Sequence, residues 1–152
     1  MALKSLYNPK VALAELQALQ EAEYLMLLKD LIVEGNRFTK EAVSQVQDHS
    51  KNTYIDDTGD LRRSIAIYIF RNGTLVHTNE RGNAQENRQI IADEVVLTNN
   101  GFDMVAIAGM IYASWVESKS YNVITNQGEK LLIDLSKLIA NMRRKGNLLT
   151  NR

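Results

Sequence analysis

The chain has 152 residues, 45% of them hydrophobic and 24% charged, enough to bury one core and too apolar for a disordered chain. Its 18 Lys and Arg balance its 18 Asp and Glu, so no global field gathers nucleic acid or anionic lipid, and any such contact has to be local. It contains no cysteine, which excludes disulfides, thiolate metal sites and cysteine nucleophiles and fits synthesis in a reducing cytoplasm.

Asn8-Pro9 is a strong helix start, Asn as N-cap and Pro at the first helical position, where its missing N–H costs nothing. Strong helix formers follow from Val11 to Glu34. Leu13, Leu16, Leu27 and Leu31 recur at helical spacing beside Tyr24, Leu28 and Ile32. The first part is polar on most faces, with Gln17, Gln20, Glu21 and Glu23. Residues 1–24 therefore read as a helical arm that packs on a neighbouring subunit or, more ordinarily, as part of the core helix. Gly35-Asn36 predicts a stop or a kink, after which Phe38, Ala42, Val43 and Val46 resume the period, giving two collinear helices or one bent helix ending near Asp48.

The segment Asp57-Thr58-Gly59-Asp60-Leu61-Arg62-Arg63-Ser64-Ile65 predicts a turn, one tight helical turn and entry into a strand. Asp57 or Thr58 would accept from freed N–H groups, and Gly59 would take an unusual backbone angle. Ser64 to Arg71 alternates Ile65, Ile67 and Ile69 with Ala66, Tyr68 and Phe70, a strand buried on both sides. Asn72-Gly73 predicts a two-residue type I′ hairpin pairing that strand with Thr74 to Thr78, and Asn79 to Asn83 reads as a loop. Ala84 to Val96 reads as a short helix, Asn99-Asn100-Gly101 as a turn, and Phe102 to Met110 as a central strand. Tyr112-Ala113-Ser114-Trp115-Val116-Glu117 predicts a short helix with Ala113, Val116 and Tyr112 on one side and Glu117 near its end. After a short strand at Val123-Ile124, Thr125 caps a last helix running to about Arg144, its core stripe Leu131, Leu135, Leu138, Ile139 and Met142; Gly146 ends it and residues 146–152 form a loose tail. The expected architecture is a single α+β domain over 1–152. A small antiparallel or mixed sheet, hairpin plus central strand, packs against a long N-terminal helix and a C-terminal helix.

No signal peptide and no run of about 18 apolar residues is visible, so the chain is expected to be soluble, away from membranes. His49 and His77 have no ligand or nucleophile partner at motif spacing. Asp56, Asp57 and Asp60 could hold a hard cation, but they lack a metal-loop pattern and read better as turn and cap residues. Arg62 and Arg63 with Glu117 suggest a salt bridge or intersubunit contact rather than acid–base chemistry, since arginine stays protonated. Gly82, Gly101 and Gly109 form no phosphate loop. No catalytic, cofactor or metal site is expected. Arg143, Arg144 and Lys145 close the last helix with a local positive charge, favourable to the helix dipole and available to DNA or an acidic partner.

Taken in order behind a long helix, two short boxes resemble the tail-completion, or head-to-tail joining, proteins of long-tailed siphovirus-type bacteriophages. Thr58, Gly59, Leu61, Arg62, Ser64 and Ile65 fit a Thr-Gly-x-Leu-Arg-x-Ser-Ile box, and Tyr112, Ala113, Val116 and Glu117 fit a Tyr-Ala-x-x-Val-Glu box. The run Ala108-Gly109-Met110-Ile111-Tyr112-Ala113, with Tyr121-Asn122-Val123-Ile124-Thr125, is most similar to the version in phages and prophages of Bacteroidetes. Two features depart from the family pattern: Ser118-Lys119-Ser120-Tyr121 stands where many relatives have a Gly and an aromatic or Pro-rich segment, and the stretch before Leu25 is extra.

The resemblance implies a structural virion protein at the head-to-tail junction, made in the host bacterial cytoplasm. It would act as a ring of copies matching the sixfold tail, touching the tail tube or tail terminator on one side and the neck or head-closure protein on the other, with nonspecific contact to genomic DNA. Arg62, Tyr112, Trp115 and Glu117 would lie near a subunit or partner surface. Two alternatives stand beside it: the tail terminator, and a non-virion dimeric α+β binding module or small enzyme.

Overall fold

The computed structural model describes residues 9–47, 58–82, 84–109, 113 and 124–150; for 46, 47 and 146–150 it describes the backbone alone. The chain divides into two compact units, Met1–Asp30 and Leu31–Arg152. The described part of the first unit is all helix and belongs to α1, Pro9–Gln47. Val11, Leu13, Leu16, Leu19, Leu25 and Met26 in this unit are each more than half exposed.

The second unit is α+β. Its elements in chain order are the rest of α1, α2 (Asp60–Ser64), β1 (Ile65–Arg71), β2 (Thr74–Thr78), α3 (Ala84–Glu94), β3 (Phe102–Ala108) and α4 (Thr125–Thr150). The three strands form one antiparallel sheet in the order β2-β1-β3. β1, not the strand at Phe102, is therefore central. Its six residues from Ile65 to Phe70 are buried, and a run that is apolar without interruption can only be satisfied by cover on both faces. Ala66, Tyr68 and Phe70 join Ile91 of α3 and Ile107 of β3 in one cluster. The opposite face meets α1, where a Cβ at Gly35 would lie 2.9 Å from Ile67 Cγ1 and 3.3 Å from Met104 Cε. Each fully buried Ile or Phe is worth about 1.5–3 kcal/mol, whereas an exposed ion pair contributes about 0–1, so this strand dominates the fold.

The close approach at Gly35 also explains why α1 does not break there. A helical glycine costs about 1 kcal/mol relative to alanine, less than the packing gained where Phe38, Thr39 and Ala42 bury their side chains. One continuous helix, not two, thus runs through the position of the expected stop. At the far end of the sheet Asn72 (φ 51°) and Gly73 (φ 78°) form the hairpin turn, both left-handed as a type I′ turn demands. The side chain of Asn72 accepts from Gly101 N–H, and its own N–H donates to Gly101 C=O, each at 2.9 Å, so the two turns clasp each other. The β1–β2 register shifts between Ile69 and Phe70, which pair with His77 and Leu75, leaving Val76 as the extra residue of a bulge.

Asn79 closes this edge. Its Oδ1 accepts from Ile67 N–H at 2.9 Å, and its Nδ2 donates to Asn36 Oδ1 (2.8 Å) and Thr39 Oγ1 (3.0 Å) of α1. The last helix runs through Gly146 to Thr150 instead of ending at the glycine. A single Gly only weakens a helix unless the chain turns left-handed after it. The expected strand at Val123-Ile124 lies partly outside the described residues, and Ile124 is not in a strand.

Candidate functional site

The first box folds into a single turn at the foot of β1. Gly59 takes φ 72°, a left-handed angle that favours glycine, and its C=O accepts from Arg63 N–H at 3.1 Å. Thr58 Oγ1 accepts from the freed Asp60 N–H at 3.3 Å, although the N-cap position itself is Gly59, which has no side-chain cap; Asp57, the other candidate acceptor, lies outside the described residues. A Cβ on Gly59 would sit 2.7 Å from Arg62 Nε and Nη2, which means the guanidinium is folded back across the glycine. Arg63 donates to Thr58 C=O at 3.0 Å and to the Asp60 carboxylate. Hydrogen bonds from Thr58 and Arg63 hold the Asp60 carboxyl below its ordinary pKa.

Leu61, Ser64 and Ile65 of the box are fully buried. Ser64 Oγ donates to Leu61 C=O at 2.8 Å, and Ser64 C=O accepts from Asn87 Nδ2 of α3 at 3.0 Å. Asn87, itself fully buried, was not singled out by the sequence: a lone Asn in a short helix gives no signal of a partner 23 residues away. Its Oδ1 has no hydrogen-bond partner among the described residues and lies against Gly109, where a Cβ would be 1.8 Å away. Gly109 opens the run leading into the second box. Of that box Ala113 is buried; Tyr112, Trp115, Val116 and Glu117 lie outside the described residues, as do His49 and Asp56.

Two polar networks flank this core. Arg37 of α1 donates to Glu34 (2.7 Å), Glu41 (3.0 Å) and Asp134 of α4 (2.6 Å), and Lys130 reaches Glu41 at 2.8 Å. The Glu34 hydrogen bond raises the Arg37 pKa, and the Lys130 contact, with that of Arg37, lowers that of Glu41. These pairs border an open polar groove of about 730 Å³ between α1 and the start of α4.

On the other face Tyr68 Oη donates to Glu80 Oε2 at 2.7 Å, and Arg88 donates to Glu80 Oε1 at 2.6 Å. Burial, then the Glu80 carboxylate, pushes the Tyr68 phenol up to about 12. For Glu80 burial acts upward, but the hydrogen bonds from Arg88 and Tyr68 outweigh it and the pKa falls. A phenol with no exposed surface, kept protonated, serves as a hydrogen-bonded strut rather than as a nucleophile. Beside it lies an apolar groove of about 430 Å³ whose walls include Phe70, Ile91 and Val95.

His77 is half-buried opposite Ile69, and no group of three or more His, Asp or Glu side chains suited to a metal ion occurs among the described residues. No helix there is long and apolar enough to cross a membrane. Arg143, Arg144 and Lys145 are exposed on α4. No protein-family model, characterised protein or solved structure matches the chain.

Proposed function

We propose that the protein is a structural component of the head-to-tail junction of a long-tailed bacteriophage, a tail-completion protein that works as a ring of identical copies. The observation that carries the reading is how the Thr58–Ile65 box is used. Gly59 makes the left-handed turn, Leu61, Ser64 and Ile65 are buried in the core, and Arg62 is drawn over the glycine at the rim. A sequence box spent on a turn and a strand foot serves shape, as a ring subunit needs, and the resemblance of both boxes to the tail-completion family supplies the place. Copies of the chain would present one surface to the tail tube or terminator and another to the neck, ending tail growth and receiving a filled head. Genomic DNA would pass within reach of cations such as Arg143 and Arg144 without sequence readout.

Electron microscopy of particles from a phage lacking this gene tests the reading. Separate full heads and finished tails that join when the purified protein is added are expected. Tails of uneven length would move the protein to the terminator's place, and intact virions without it would overturn the junction reading altogether.

A further inference from the structure

Two exposed helical faces on this chain are apolar and opposite in charge. On α1, Leu16, Leu19 and Met26 recur at three- and seven-residue spacing, each more than half exposed, with Glu15 and Glu23 beside them. The described part of this unit, 9–30, sets two lysines against four carboxylates. On α4, Leu131 is buried and Leu135, Leu138 and Met142 are half-buried along one side, while Leu132 and Ile139, two turns apart, form a second, exposed apolar stripe, with Ile133 exposed further round the helix. From Leu135 to Lys145 that helix carries Lys137, Arg143, Arg144 and Lys145 and no acid; Lys137 reaches back to Asp134 at 3.5 Å, an exposed pair that an incoming carboxylate would share. Because α4 continues to Thr150, these cations are not in its last turn, and the helix dipole, which acts within that turn, does not account for them.

A helix with an apolar stripe on two sides is suited to be covered on two sides. Pairing α4 faces with each other would bring cation against cation, whereas the acidic arm offers the opposite charge. We propose that the arm of one copy lies antiparallel on the outer face of α4 of the next copy. Leu19 then meets Ile139, Met26 meets Leu132, and Glu15 and Glu23 face Arg143 and Lys137. At 1.5 Å per residue the Leu16–Met26 stripe spans about 15 Å and Leu132 to Ile139 about 10 Å, matched to within one helical turn. Each copy gives one surface and receives a different one, the heterologous contact that closes a ring, so the pairing deepens the ring-assembly reading and rests on it.

The absence of native cysteine makes the test direct. Full-length Leu19→Cys and Ile139→Cys proteins are mixed under mild oxidation and run on a denaturing gel. The mixture is expected to give about tenfold more crosslinked pair than either protein alone. Adding Glu15→Arg and Glu23→Arg to the first protein should abolish the product, and Lys137→Glu with Arg143→Glu in the second should restore it. Crosslinking of Leu19→Cys with itself would show arm pairing with arm and overturn the proposal. So would a Leu19→Cys/Ile139→Cys double variant that links only within its own chain, or no crosslink at the highest soluble concentration. If crosslinking fails while added protein still joins heads to tails, the pairing falls and the junction reading stands; a crosslink alongside normal gene-less virions reverses that.

Discussion

Gly109 and Asn87 show how one residue's missing side chain can be a structural requirement. A methyl on Gly109 would lie 1.8 Å from Asn87 Oδ1 and 2.9 Å from its Cγ, and Asn87 is fully buried and held to Ser64 C=O. Gly109→Ala is expected to cost about 3 kcal/mol in urea unfolding, the upper range for overpacking. Asn87→Ala alone should cost about 1–3 kcal/mol through the lost bond to Ser64. The double variant should be at least about 1 kcal/mol more stable than the sum predicts, since the clash is gone; strict additivity would refute this packing account. Tyr68 offers a second test. Its folded pKa of about 12 stands above the ordinary phenol value of 10.0, so the stability linked to its proton is fully present below pH 10 and is lost as pH rises toward 12. Phenolate absorbance should contain a component titrating near pH 12 that Tyr68→Phe lacks, and the variant's stability should fall less steeply over that window.

Among the elements, α1 is held to the sheet by shape at Gly35 and by hydrogen bonds at Asn79. Helix propensity alone would favour replacing Gly35 by a larger residue. The 2.9 Å approach to Ile67 Cγ1 reverses that expectation for a branched side chain, and Gly35→Val should lower stability by about 1–3 kcal/mol with an unchanged denaturant slope. A stabilised Gly35→Val protein would mean that helix and sheet separate more easily than the contact implies. The ion pairs that run from α1 to α4, Arg37 with Asp134 and Glu41 with Lys130, are about one-third to one-half exposed and add less than this apolar contact, so they orient α1 against α4 more than they hold it.

For the whole molecule, zero net charge conceals a segregation along the chain: carboxylates outnumber lysines in the described first unit, and the stretch from Leu135 to Lys145 of α4 contains four cations and no acid of its own, Lys137 reaching back to Asp134. The amino-acid sequence by itself determined the α+β class, the hairpin at Asn72-Gly73, the twice-covered strand at Ile65–Phe70 and the turn at Gly59. Each depends on residues adjacent in the chain, through alternation, a left-handed dipeptide or a glycine before a short helix. Tertiary structure alone decided that β1 is central, that α1 passes unbroken through Gly35 and that Asn79 and Asn87 are clamps. Those outcomes depend on partners tens of residues away, such as Ile67 beneath Gly35 and Ser64 beside Asn87, and a local pattern holds no record of what a side chain will meet.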